Sequence, residues 1–104
     1  MKYGPVTESS YQIDDQGFLL NHKQWDENFV RKWAPYAGIK SGLTKKHWDV
    51  IYYIRRSFEK NGKCPLVYET CRANGLSLES LKGLFPSGYL RGACKLAGLT
   101  YREG

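Results

Sequence analysis

The chain has 104 residues, which is enough for one domain and too few for two independent hydrophobic cores. Its composition, 41% hydrophobic and 25% charged, excludes a disordered or low-complexity protein, and its mean hydropathy of −0.56 argues against a membrane span. The formal net charge is +6. Residues 1–30 hold two basic and five acidic side chains, so the rest of the chain is strongly basic. This distribution predicts an anionic partner, either nucleic acid or an acidic protein surface.

The first predicted element is a β-hairpin. Residues 11–20 (YQIDDQGFLL) contain two apolar stretches around the turn sequence DDQG, and Gly17 is the residue expected at positive φ. Residues 3–6 can add a third short strand, which Pro5 restricts to a sheet edge.

Four or five short helices follow the predicted hairpin. Apolar residues recur at helical spacing, Thr44 and Ser77 are good N-caps, and glycines stand where helices end. The predicted helices run from about Gln24 to Pro35, over roughly 45–60, over about 65–73, after Ser77, and over 89–97. The pattern predicts an α+β fold that is mostly helical, in a single domain over residues 1–104 with a flexible C-terminal arm at 98–104.

The segment from about 67 to 86 has the layout of a helix-turn-helix unit, with two short helices around Asn74-Gly75. DNA is therefore a possible partner. The second helix, however, has no arginine or asparagine for bidentate base contacts, so DNA is the less favoured partner; its polar residues are Ser77, Glu79, Ser80 and Lys82.

No motif of a self-sufficient enzyme is present: the chain lacks a P-loop, a G-x-S-x-G sequence and a pair of carboxylates placed for acid–base catalysis. An odd number of cysteines, three, without a secretory signal argues against a disulfide framework and favours a cytoplasmic protein. The cysteine spacings match no zinc pattern, so we expect neither a metal nor another cofactor.

Cys94 is the candidate reactive residue. Arg91 and Lys95 stand beside it in the sequence and favour the thiolate form, and the small neighbours at 92 and 93 can leave the sulfur accessible. The alternative is a buried cysteine that packs its helix against the core. Cys64 and Cys71 are predicted to be structural.

The C-terminal third contains two distinctive segments, residues 84–88 (LFPSG) and 92–99 (GACKLAGL). In this order they resemble the signature of the dissimilatory sulfite reductase gamma-subunit family, DsrC/TusE. Further matches upstream are residues 15–19 (DQGFL), Trp25, residues 47–51 (HWDVI) and Pro65. The resemblance covers nearly the whole chain.

The resemblance implies a short β-meander packed on helices and a role in sulfur metabolism. Members carry sulfur as a persulfide or trisulfide on cysteines of a C-terminal arm; some dock this arm into sulfite reductase, and others relay sulfur toward tRNA thiolation. Cys94 matches the upstream one of two arm cysteines.

The sequence departs from the family pattern in two places. The second arm cysteine, usually the main carrier, would come eleven residues after Cys94, one residue beyond Gly104, and Tyr89 replaces a proline usual after the LFPxG glycine. With Cys94 alone a persulfide can form, but its resolution within the chain requires Cys64 or Cys71 to be near.

The sequence thus predicts a DsrC/TusE-like sulfur-relay protein associated with sulfite reductase or another sulfur-transfer system. Cys94 would carry the sulfur, and Arg91 and Lys95 would tune its pKa and contact an acidic partner. It would be a carrier or accessory subunit of the sulfurtransferase type. The alternative is a divergent regulator without carrier activity, which binds DNA or a partner protein through its basic helical body.

Overall fold

The computed structural model describes residues 11–99, and the fold within them is built from helices. Its four α-helices are α1 (Glu27–Trp33), α2 (Lys45–Asn61), α3 (Val67–Ala73) and α4 (Leu78–Leu84). Its other helical segments are two 3-10 helices, His22–Gln24 and Ala34–Ala37, and a C-terminal π-helix, Tyr89–Cys94. No helix in the described part of the chain is long and apolar enough to cross a membrane.

The predicted N-terminal β-hairpin is wrong, and with it the α+β fold class, because residues 11–99 contain no β-strand. Pairing in this part of the chain is limited to one isolated antiparallel bridge between Ile13 and Leu19. Phe18 and Leu19 are both buried, 1% and 0% exposed, whereas consecutive side chains of a strand point to opposite faces. The chain therefore turns inward instead of extending a two-stranded ribbon, which is marginally stable at best. The possible strand at residues 3–6 lies outside the described residues.

The turn of the predicted hairpin does form. The Asp14 carboxylate accepts a hydrogen bond from the backbone N–H of Phe18 at 3.0 Å, and Gly17 takes the expected positive φ of +89°. Asn21 then caps the first 3-10 helix with its side-chain oxygen, which turns the backbone out of the extended conformation. Local capping thus ends the strand-like segment after one bridge.

Helix α1 begins later than the sequence pattern suggests. Asp26 is extended and its carboxylate accepts from the backbone N–H of Phe29 at 2.9 Å, so Asp26 is the N-cap. Phe29 and Val30 of this helix are fully buried. Trp25, predicted to start the apolar stripe of this helix, instead lies in extended backbone before it.

Helix α2 is the longest element, and His47 joins its start to the end of α4. The ring Nδ1 of His47 accepts from the backbone N–H of Thr44 at 2.9 Å, and Nε2 donates to the Leu84 carbonyl at 2.9 Å. The same ring meets the Phe85 ring edge-on, with centroids 5.3 Å apart. Both ring nitrogens are satisfied, so His47 is a structural residue of the core.

The hydrophobic core forms where α2 packs on the C-terminal segment. The residues of α2 that are 0% exposed are Val50, Ile51 and Ile54. Those of the C-terminal segment are Ala93, Cys94, Leu96 and Ala97. Helices α3 and α4 form a helix-turn-helix-like pair beside this core, with Gly75 at a φ of +65° in the turn between them.

A buried arginine fastens the C-terminal segment to α2. Arg55 is 6% exposed, and its Nη1 donates to the carbonyls of Ala97 at 3.1 Å and Gly98 at 3.3 Å. Its Nη2 donates to the His22 carbonyl at 2.8 Å, and its Nε donates to the Glu59 carboxylate at 2.9 Å. The guanidinium is thus paired on all sides, as a buried charge requires.

Trp25 makes a further contact with the C-terminal segment and with Arg55. Its indole Nε1 donates a hydrogen bond to the Leu96 carbonyl at 2.8 Å. Cζ of the Arg55 guanidinium lies over the indole ring, 5.0 Å from the ring centre. Gly98 lies against this ring with a φ of +78°, and a Cβ there would fall 2.6 Å from Cγ of Trp25. Glycine is required at this position for both its backbone conformation and its lack of a side chain.

Replacing Gly98 with alanine tests this close approach. We expect Gly98→Ala to lower the free energy of unfolding by about 3 kcal/mol or more, because steric overlap adds to the cost of a left-handed alanine. The matched control is Gly62→Ala, which has the same φ of +78° with no atom within 4 Å of the added Cβ; we expect it to cost only ~1 kcal/mol. Urea denaturation under fixed redox conditions measures both. Equal losses in the two variants would contradict the described packing of Trp25.

Candidate functional site

Cys94 lies at the end of the C-terminal π-helix, inside the core. Its side chain is 0% exposed, so the expectation of a sterically open sulfur is wrong, and of the two sequence alternatives the buried cysteine is the one observed. Its sulfur is bonded to that of Cys64 in a disulfide, with Cα atoms 6.9 Å apart. The sequence argued against a disulfide framework and did not anticipate this single bond. Cys71, the third cysteine, is a buried free thiol.

Cys64 provides the accessible side of this pair. It is half-buried in the loop between α2 and α3, and it lines an open cleft of about 710 Å³. Other residues that line the cleft are Tyr53, Ser57, Lys63, Leu66, Glu69 and Arg72. Small molecules in this cleft can therefore approach the Cys64 sulfur, while the Cys94 sulfur is shielded by the core.

Tyr89 holds the Cys64 loop against the π-helix. Its hydroxyl donates to the Pro65 carbonyl at 2.7 Å and lies 2.7 Å from Oγ1 of Thr70, which must then be the donor of that second bond. The Cys64 sulfur lies 3.7 Å from the same hydroxyl. Burial raises the pKa of Tyr89 from 10.0 to about 12, so the hydroxyl keeps its proton and remains a donor.

Arg91 and Lys95 lie in another environment than the cysteine pair. Both line a second cleft, of about 290 Å³, whose walls include the turn residues Asp14 and Gly17. Arg91 is exposed, and Nζ of Lys95 lies 5.2 Å from the centre of the Phe18 ring. The two clefts share no lining residue. The structure thus brings Cys64 to Cys94 and places the two predicted cations against the N-terminal turn.

The helix-turn-helix-like pair carries no excess of positive charge on its second helix. In α4, Glu79 and Lys82 are both exposed, and their charges balance. Lys46, on α2, donates from Nζ to the Asn74 carbonyl at 3.0 Å. The geometry of this pair therefore adds nothing specific toward DNA phosphates. Among residues 11–99, no group of three or more His, Cys, Asp or Glu side chains is arranged to hold a metal ion.

Sequence reasoning missed Cys64 because nothing local distinguishes it. The two bonded cysteines are 30 residues apart, and α3 and α4 lie between them. The signal that could have found the pair is the Cys64-Pro65 sequence, which places a cysteine in a loop directly after α2, the element on which Cys94 packs. The sequence alone does not specify that packing.

Comparison with known proteins relates this site to sulfur proteins. Residues 5–103 match the family model described as "DsrC like protein". The chain is 36% identical over 95 residues to "Sulfite reductase, dissimilatory-type subunit gamma" of Nitratidesulfovibrio vulgaris, covering 91% of this chain and 90% of that protein. It is 35% identical over 95 residues to "Sulfurtransferase TusE homolog" of Haemophilus influenzae, covering 85% of each. A chain in the crystal structure of dissimilatory sulfite reductase I (DsrI) superposes with a TM-score of 0.85 at 32% identity, covering 90% of this chain and 89% of that one.

Tyr89→Phe tests the hydroxyl contacts at the site. We expect the variant to lower the free energy of unfolding by about 1–2 kcal/mol at neutral pH, because the Pro65 carbonyl and the Thr70 hydroxyl lose their partner. The matched control is Tyr68→Phe, since the Tyr68 side chain is 67% exposed on α3.

The raised pKa of Tyr89 gives the same variant a signature in pH. Between pH 10 and about 12 the unfolded chain releases the Tyr89 proton while the folded chain retains it, so wild-type stability falls as pH rises through this window. The Tyr89→Phe variant lacks this contribution, and its stability should fall less steeply over the same range. Urea titrations at several alkaline pH values measure the slopes, and identical slopes would contradict a buried Tyr89 hydroxyl.

Proposed function

Because this chain belongs to the DsrC-like family, we propose that it is a sulfur-relay protein that carries a sulfane sulfur on Cys94. The resemblance seen in the sequence is confirmed by the family match, and the relatives' names, a sulfite reductase gamma subunit and a TusE sulfurtransferase homolog, support a sulfur-relay role. The chain acts as a carrier of sulfur between proteins, in the cytoplasm, where thiols are kept reduced.

One observation carries the assignment to Cys94. Cys94 lies in the segment whose sequence resembles the family signature. Its sulfur is bonded to that of Cys64, which lines an open cleft. Sulfur carriers use a thiolate that attacks the outer sulfur of a donor persulfide, and the donor thiol leaves. Cys94 is 0% exposed, so loading requires the Cys64 side chain, which lines the cleft, to turn aside once the Cys64–Cys94 bond is reduced. The surrounding core then shields the loaded sulfur from other thiols.

The proposed partner surface is the cleft that Arg91 and Lys95 line. Arg91 is exposed and Lys95 is half-buried beside it, and although Asp14 and Asp15 line the same cleft, these two cations suit an acidic patch on a sulfite reductase or another sulfur-transfer protein. The solved chain with a TM-score of 0.85 comes from a sulfite reductase, which supports that class of partner. No observation favours the DNA-binding alternative, and we do not propose it.

Cys94→Ser tests the carrier role. We expect reduced wild-type protein, alkylated immediately after mixing with cysteine hydropersulfide, to carry one added sulfur atom on the peptide that contains Cys94 before that sulfur is discharged, and we expect Cys94→Ser to carry none there. Cys71→Ser is the matched control, because Cys71 is a buried thiol that forms no bond with another cysteine. Intact mass with peptide mapping gives the result. Normal loading of Cys94→Ser would refute the assignment.

The partner surface is tested by removing its charges. We expect the double variant Arg91→Ala/Lys95→Ala to bind a purified dissimilatory sulfite reductase ~10-fold more weakly than wild type, with the difference shrinking at high salt. The control is Arg56→Ala/Lys60→Ala, which removes two exposed cations of α2 and so makes the same change in net charge. Equal affinities for the two double variants, or no binding by wild type, would contradict this surface.

A further inference from the structure

We propose that Cys64 is the resolving residue that discharges the sulfur from Cys94, an inference that rests on the carrier role proposed above. The two sulfur atoms already lie in bonding contact, so Cys64 needs no large rearrangement to attack a persulfide on Cys94. The other cysteine is not placed for this reaction, because Cys71 is buried on α3 and its sulfur faces the Ser77 carbonyl at 3.9 Å.

The surroundings of the two sulfurs assign them different tasks. Cys94 is 0% exposed and fixed in a helix, which suits a residue that must retain a reactive group. Cys64 lies in a loop beside the open cleft, which suits a residue that must react, separate and be regenerated. Tyr89 positions this loop, because its hydroxyl anchors the Pro65 carbonyl and Thr70 while facing the Cys64 sulfur.

The discharge step balances without an external oxidant. The Cys64 thiolate attacks the inner sulfur of the Cys94 persulfide, an S–S bond forms between the two cysteines, and the bond to the outer sulfur breaks. The outer sulfur leaves as hydrosulfide and takes up the proton that Cys64 released, giving hydrogen sulfide. The outer sulfur leaves with the electron pair of the broken bond, and the Cys64 thiolate supplies the pair of the new bond. Cys64 is therefore oxidised by one electron, the outer sulfur is reduced by one, and the Cys94 sulfur keeps its oxidation state.

The disulfide is then reset by two equivalents of a small-molecule thiol. The first thiolate attacks Cys64 from the cleft, because Cys94 is shielded, and forms a mixed disulfide while Cys94 leaves as a thiol. The second thiol attacks the mixed disulfide, restores the Cys64 thiol and leaves as the oxidised dimer of the reductant. The disulfide observed in the structure corresponds to the discharged, oxidised state of this cycle.

The experiment compares loading with discharge in single-cysteine variants. Fully reduced protein, freed of reductant, is incubated with cysteine hydropersulfide, after which sulfide release is followed in time and the cysteines are mapped by mass. We expect wild type and Cys71→Ser to release sulfide as the Cys64–Cys94 bond forms. We expect Cys64→Ser to load Cys94 but to release sulfide at least ~100-fold more slowly, because an intramolecular thiol in contact has a very high effective concentration. Cys64→Ala and circular dichroism control for folding.

Tyr89→Phe provides a second readout. If Tyr89 positions the Cys64 loop, this variant loads Cys94 as wild type does and discharges it several-fold more slowly. A purely structural role would change loading and discharge alike.

The outcomes separate this inference from the carrier role. Loading of Cys94 in Cys64→Ser, followed by sulfide release at the wild-type rate, overturns the role of Cys64 and leaves the carrier role intact. A disulfide mapped to Cys71 and Cys94 also overturns it. Absence of sulfur on Cys94 in both wild type and Cys64→Ser overturns the carrier role and this inference together.

Discussion

The arrangement of this protein depends on one buried guanidinium. Arg55 holds the carbonyls of Ala97 and Gly98 on one side and that of His22 on the other. An arginine can do this because its planar fork presents five donors in fixed directions, which a lysine cannot imitate. Ala97 follows Cys94 by less than one helical turn. The hydrogen bonds from Arg55 that order the C-terminal segment therefore also set where the Cys94 sulfur lies. The position of Cys94 thus depends on a residue whose hydrogen bonds go to neither sulfur.

Local signals made the helical part of the fold predictable. Thr44 and Ser77 are N-caps whose side chains accept the hydrogen bonds expected of them, and the helix predicted over 45–60 is observed over Lys45–Asn61. The hairpin failed because alternation in a short window does not show which side chains are buried. Phe18 and Leu19 are both buried, and Lys95 of the C-terminal segment, which is distant in the sequence, lies over the Phe18 ring.

The site could be predicted only in part, for the same reason. Cys94 stands in a distinctive segment, so local sequence singles it out, whereas Cys64 becomes relevant only when the chain is folded. Tyr89, noted as a departure from the family pattern, is the residue whose hydroxyl reaches the Cys64 loop. Arg91 and Lys95 neighbour Cys94 along the chain but face the turn near Gly17, because sequence proximity on a helix does not place side chains on one face.

The bond between Cys64 and Cys94 closes a covalent ring around α3 and α4, with 30 residues of separation. Closing a loop of that length restricts the unfolded chain and contributes roughly 3–4 kcal/mol in the chain-entropy view. In the proposed cycle this ring is closed after discharge and open while sulfur is held. Of the two forms, the loaded protein is then the one that unfolds more easily and that proteases cleave more readily. Cargo and lifetime are thereby coupled: the loaded carrier, in which the ring is open, is the form that a cell would degrade first.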